Sequence, residues 1–300
     1  MRSREMKQAK LMRYEWMVRY TPQTEWIEGK GVLLWLAFFF SEMGAGIYFV
    51  SLFLNFKAGW LVGWIMTMVL GGIAHIGFLG HPMRSWRILL KPANSELCRG
   101  LWAILLFGVI GFFQIVPLLL PGLPWTGNEA AMKTILGIFC ILIISHGFLT
   151  MNVVRALPLW NSSMIIPFSL ASGIWVGSQA VEFMLMLGGQ QLYVAELWSR
   201  WSLLGYMASL LVYLWGTYHS SDAARESTKR LLTGESALRF YCGVLVIGIL
   251  IPFVITLIGW QSSVERLGFG LLLIRFAAVL IGDLTMRYNI MKSAVYAPLI

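Results

Sequence analysis

Six ionisable side chains sit inside long apolar runs: Glu42, His75, His146, Glu182, Arg275 and Asp283. A charge in hydrocarbon is costly, so such groups turn inward and pair, or carry protons. Glu42, in Ser-Glu-Met-Gly-Ala-Gly, has no evident partner in the pattern, and a lone mid-membrane carboxyl can exchange a proton. Glu182 and Arg275 fall at similar depths of their segments, which suits a buried ion pair. Either the pair only fastens two helices, or it belongs with Asp283 and His146 to a path for protons or water. Gln114, Asn152 and Gln179 add neutral polar groups.

A second constellation lies at residues 71–100, GGIAHIGFLGHPMRSWRILLKPANSELCRG. An apolar helix carrying His75 runs into a Leu-Gly-His-Pro break at His81. A basic hairpin with Arg84, Trp86 and Arg87 follows, and Ser95 opens the next helix, with Arg99 in its first turn. Imidazoles here can hydrogen-bond a carbonyl or trade a proton, and the arginines can hold an acidic partner. The plainer reading makes Trp86 an interfacial anchor and the arginines orientation signals.

The elements that position these groups are membrane helices. The chain has 300 residues, 58% hydrophobic and 12% charged, with a mean hydropathy of +0.72. Soluble domains are nearer half apolar and a quarter charged. Apolar runs long enough to cross a hydrocarbon core of about 30 Å recur, at 31–54, 59–80, 97–119, 134–155, 163–187, 201–218, 239–259 and 267–288. The expected fold is all-α: a polytopic membrane protein with eight transmembrane helices over 31–300. Residues 1–30 form a basic segment without the apolar core of a secretory signal. Its aromatic and Met residues among Lys and Arg suit an interfacial helix or docking tail, with a disordered basic tail as the alternative.

Charge orients the bundle. Apart from Arg275, inside a span, only Lys57, Lys133, Arg200 and Arg266 of the 23 Lys and Arg residues avoid one side. The positive-inside rule then places both termini in the cytoplasm. The net charge of +9 follows from this asymmetry, and points to membrane orientation or an acidic partner rather than to nucleic acid. Cys98, Cys140 and Cys242 are scattered through the spans with no CxxC. No disulfide framework, cluster or other metal site is expected from this chain alone. His75 and His146 differ in depth by about 6 Å at 1.5 Å per residue, a poor match for the two axial ligands of one haem. No obvious internal repeat supports a secondary transporter.

The 71–100 stretch resembles the NrfD/polysulfide reductase membrane-subunit family. There, span two ends in a Leu-Gly-Arg-Pro-x-Arg-x-Trp-Arg pattern after an Asp or His, and a Ser-x-x-Ser-Arg-Gly stretch opens span three. The matching residues are Phe78-Leu79-Gly80-His81-Pro82-Met83-Arg84-Ser85-Trp86-Arg87 and Ser95-Glu96-Leu97-Cys98-Arg99-Gly100. The Gly-rich first helix and the eight-span layout fit as well. The resemblance implies the membrane anchor of an anaerobic-type respiratory oxidoreductase complex in a bacterial or archaeal cell membrane. Such a subunit exchanges electrons between a quinone or quinol (menaquinone or ubiquinone) and a ferredoxin-like iron–sulfur subunit. A molybdopterin or other catalytic subunit often lies beyond. It implies a quinone site at His75, His81, Arg84, Trp86, Arg87 and Arg99, no haem or metal in this chain, and no catalytic residue beyond quinone contact. Coupling to proton movement would use Glu42, His146, Glu182, Arg275 and Asp283. Two positions depart from the family: Phe78 replaces the acid or histidine before Leu-Gly, and His81 the arginine, so His75 or His81 must serve the head group. Many relatives dock their iron–sulfur partner outside, whereas the charge bias turns this loop inward. The competing expectation is a proton-translocating or purely structural membrane subunit without its own quinone site.

Overall fold

The computed structural model describes residues 23–120, 122, 127–262 and 267–297. Most of the basic segment 1–30, and with it the interfacial-helix expectation, lies outside the described residues, as do parts of the loops at 120–133 and 260–266. In lipid, every backbone N–H and C=O must find a partner within the protein, which restricts spanning segments to helices or closed barrels. The regular structure of the described residues is all helical, without strands.

Among the described residues nine helices follow in order: α1 (Gly31–Leu54), α2 (Lys57–Phe78), α3 (Glu96–Leu119), α4 (Glu129–Asn152), α5 (Ile165–Leu187), α6 (Tyr193–Ser220), α7 (Asp222–Leu232), α8 (Arg239–Trp260) and α9 (Phe269–Ser293). Seven are long and apolar enough to cross a membrane: α1 to α5, α8 and α9. This fits a multi-pass membrane protein. The helix over the expected sixth span, α6, is long enough at 28 residues. It is less apolar because even its charge-free stretch, 201–218, is diluted by Trp, Tyr, Ser, Gly and Thr; Glu196 and Arg200 form an ion pair in its first turns.

α1 is the hub. It packs against α2, α4, α5, α6 and α9, and its middle is buried on every face. Its contact with α5 is backbone to backbone. A Cβ built on Gly46 would lie 2.1 Å from the Gly173 carbonyl oxygen, and one on Gly177 would lie 2.2 Å from the Gly46 carbonyl carbon. Close approach of this kind lets membrane helices gain dispersion contacts where the hydrophobic effect cannot drive them together. α9 meets α8 in the same way, at Gly282 and Gly248. The wide π turns of α8, Arg239–Leu250, end just before Pro252, whose ring cannot sit against a normal i−4 carbonyl.

One end of the bundle is hydrogen-bonded tightly. It is the basal end, where α1 begins and α9 finishes. Gln23 Nε2 donates to the Lys292 carbonyl at 3.1 Å, Trp160 Nε1 to the Ile290 carbonyl at 2.9 Å, and the Ala297 N–H to the Ala156 carbonyl at 2.9 Å. Lys292 also pairs with Glu28. The break after α2 and the start of α3 lie at the same end.

Candidate functional site: a buried charge cluster and a motif loop

Asp283 and Arg287 are four residues apart on α9, so they share one face. That face meets α1 and α5. Arg287 donates through Nε to Asp283 Oδ2 at 2.6 Å, and through Nη2 to Asp283 Oδ1 at 3.3 Å and Ser172 Oγ at 2.9 Å. Its Nη1 donates to Glu42 Oε2. Ser172 in turn donates its hydroxyl hydrogen to Asp283 Oδ1. The Phe148 ring of α4 lies 5.5 Å from the guanidinium carbon, within cation–π range. All four polar residues are buried, and Glu42 Oε1 has no hydrogen-bond partner among the described residues.

This overturns two expectations. Glu42 does have a partner, and the partner is Arg287. That arginine, near the end of the last span, reads in sequence as one of the basic charges at the membrane edge. The residue is 4% exposed, because the packing of α1 and α5 against α9 closes over it. Its i,i+4 spacing from Asp283 was the available signal.

Glu182 on α5 and Arg275 on α9 form an ion pair, each side chain 1% exposed. The expected meeting therefore occurs. Arg275 is eight residues before Asp283, about 12 Å along the helix, so α9 carries two charge clusters at different depths. The structure thus separates the pair from Asp283 rather than joining all three at one point. Arg275 Nε and Nη1 have no hydrogen-bond acceptor, which leaves Glu182 as its counter-charge.

His146 is buried on α4, with its ring against α3. A Cβ on Gly100 would fall 1.7 Å from His146 Nδ1, so the missing side chain at Gly100 makes room for the imidazole. His75 on α2 donates from Nδ1 to the Gly71 carbonyl, 2.9 Å away. A carbonyl only accepts, so Nδ1 carries the hydrogen and Nε2 keeps a lone pair. That Nε2 is buried without a partner, as is His146 Nδ1. The two histidines lie within electrostatic reach of each other, and Phe38 of α1 meets the His75 ring edge-on at 5.9 Å. Among the described residues no group of three or more His, Cys, Asp or Glu could hold a metal ion.

The motif loop takes a different form from the expected hairpin. Leu79 leaves α2 extended, and Pro82–Leu90 forms a 3₁₀ helix. Its three-residue period stacks Met83, Trp86 and Leu89 along one edge and Arg84 and Arg87 along another. His81, Arg84, Trp86 and Arg87 are all exposed, with the Arg87 guanidinium 5.7 Å from the Trp86 ring centre. Ser95 caps α3, accepting from the Cys98 N–H at 3.3 Å. Arg99 turns back on the loop, donating to the Pro92 carbonyl at 2.9 Å and the Ala93 carbonyl at 2.6 Å. Trp102 Nε1 holds the Leu89 carbonyl at 3.1 Å. Arg99 therefore braces the loop while its side chain stays exposed, and it pairs with Glu96 one turn earlier.

Beside the loop lies an open groove of about 270 Å³, lined by Glu25, Trp26, Glu28, Lys30 and Phe78. Its lining combines two half-buried aromatic side chains with three exposed charged ones. Sequence reasoning found Phe78 there only as a lost polar group, and missed Trp26, which lies in a short 3₁₀ turn ahead of α1. His75 is three residues before Phe78 and so on the same helix face, but it does not line the groove. The six expected quinone-site residues are thus divided. His81, Arg84, Trp86 and Arg87 are on the exposed loop, Arg99 is exposed on α3 and bonded to the loop backbone, and His75 is half-buried within the bundle.

The fold and site define a class: an all-helical protein with multiple membrane-competent helices and ionic clusters at two depths. Comparison with protein-family models returned no match, and comparison with curated proteins returned none either. Beyond this class, the functional reading rests on the motif and the geometry.

Proposed function

We propose that the chain is the membrane anchor of a respiratory oxidoreductase complex, passing electrons between a membrane quinone or quinol and an iron–sulfur partner subunit, with a molybdopterin or other catalytic subunit beyond. The observation that carries this reading is the aromatic groove at Trp26 and Phe78. It lies at the end of α2, where the NrfD-like motif begins and one turn from His75. A quinone ring needs apolar walls and a few polar contacts at its rim, and Glu25, Glu28 and Lys30 are placed to give them. His75 Nε2, a buried base with no partner among the described residues, is an acceptor for a quinol proton on that helix face, one turn from Phe78. The exposed Arg84 and Arg87, next to Trp86, form a basic surface suited to an acidic iron–sulfur subunit.

In this reading α6 is the eighth span. Its buried stripe, Ala195, Ser199, Leu203, Tyr206, Leu210, Tyr213 and Thr217, faces the bundle, while Leu204, Leu211, Val212 and Trp215 point outward as lipid-facing residues would. Both termini lie in the cytoplasm of the cell that bears this membrane.

The test uses the purified complex. Quinone is extracted and counted, and quinol-coupled turnover is measured in Trp26→Ala, His75→Ala and His81→Ala with subunit assembly checked. Loss of turnover in Trp26→Ala and in one of the histidine variants, with assembly intact, is the expected result. Normal turnover in all three, or purification without an iron–sulfur partner, sinks the reading.

A further inference from the structure

The Glu42 cluster contains one guanidinium and two carboxyl groups. Fully ionised, it would bury a net charge of −1. An uncompensated buried charge costs several kcal/mol, and among the described residues no other cation is placed to offset it. Arg287 and Asp283 are the charged groups acting on Glu42. Tyr206 of α6 is within range of the same pair but brings no positive charge. α5 contributes Ser172, which bonds to Asp283 and Arg287, and Gly173, on which a Cβ would lie 3.1 Å from Glu42 Cγ. α4 contributes Phe148 over the guanidinium and Ile144 beside Gly173. From α2, Thr67 bonds to the Ser41 carbonyl.

The carboxyls are not equivalent. Asp283 accepts from Arg287 Nε, Arg287 Nη2 and the Ser172 hydroxyl. Glu42 accepts from Arg287 Nη1 through Oε2, and its Oε1 is buried with no partner. A proton on Oε1 cancels the excess charge and leaves every bond of the cluster in place. On Asp283 it would compete with hydrogen bonds donated to either oxygen, two at Oδ1 and one at Oδ2.

A crevice touches this cluster at Arg287. It is lined by Trp35, Phe38, Phe148, Met151, Arg287 and Met291 and has room for about one water, at about 10 Å³. These residues come from the start of α1 and the ends of α4 and α9, so the crevice lies in the basal half of the bundle. Arg287 is common to the crevice and the cluster.

We infer that Glu42 is a buried proton-exchange site, loaded and unloaded from the basal side of the bundle through the crevice at Arg287. Unloading breaks the Glu42 O–H bond and hands the proton to a water, giving a carboxylate and a hydronium ion. Loading is the reverse, and no electron moves. The site needs neither the quinone groove nor a partner subunit, so it stands or falls separately from the electron-transfer reading.

The test is infrared spectroscopy of the full chain in lipid nanodiscs, before and after transfer to D₂O, for wild type, Glu42→Gln and Asp283→Asn. A protonated carboxyl has a C=O stretch separate from that of carboxylates. The expected result is a band that downshifts in D₂O, is absent from Glu42→Gln and persists in Asp283→Asn. Glu42→Gln mimics the protonated acid and should keep the wild-type melting temperature, while Asp283→Asn should lower it. Three results would each overturn the inference: no band removed by Glu42→Gln, a Glu42 band that does not shift in D₂O, or Glu42→Gln failing to fold where Asp283→Asn folds.

Discussion

The Glu182–Arg275 pair permits a sharp energetic test. Both side chains are 1% exposed, and Arg275 has no other acceptor for Nε or Nη1. Removing one partner leaves a buried charge, which typically costs about 3–5 kcal/mol. Replacing both with apolar residues of similar volume is often neutral, or stabilising by about 1–4 kcal/mol. Glu182→Leu and Arg275→Met should therefore each destabilise the fold by about 3–5 kcal/mol, and the double variant should lose less than either single one. The singles should also differ. A lone carboxylate can take up a proton, but a lone guanidinium cannot shed one. Glu182→Leu, which strands the arginine, should be the worse of the two. Reversible unfolding in mixed detergent–lipid micelles, followed by tryptophan fluorescence, measures all four corners of the cycle. A double variant that costs the sum of the singles would refute the reasoning, and would mean the two charges reach water or other partners in the membrane.

Two further outcomes follow from the packing and the topology. Gly177→Ala places a methyl 2.2 Å from the Gly46 backbone, where no side chain can give way. It should cost at least the upper part of the usual 1–3 kcal/mol for overpacking, measured by the same unfolding assay. Single cysteines at Gly189 and Glu226, flanking α6, should react with a membrane-impermeant maleimide from opposite sides in a background lacking the native cysteines. Labelling from one side only would remove α6 from the set of spans.

The all-helical fold and most of the span positions were legible in the sequence, because hydrocarbon demands long apolar helices whatever their neighbours. Ser95 as the start of α3 was legible for a local reason: its hydroxyl caps the helix three residues on. The Glu182–Arg275 pair was legible from depth alone, since each residue lies a few turns or less from one end of its helix. Other features were settled by tertiary packing. Arg287 reads as an edge charge until α1 and α5 close over it, and Glu42 reads as unpartnered until α9 comes alongside. Their separation in sequence is 245 residues, and no local pattern spans that distance. The groove at Phe78 likewise needs Trp26 from another element. The sequence by itself determined which groups had to be buried and that they would have to be paired, because solvation energy depends on residue type and helix length. Tertiary structure alone decided which group met which, because that depends on the contacts between glycine faces that set helix spacing and rotation.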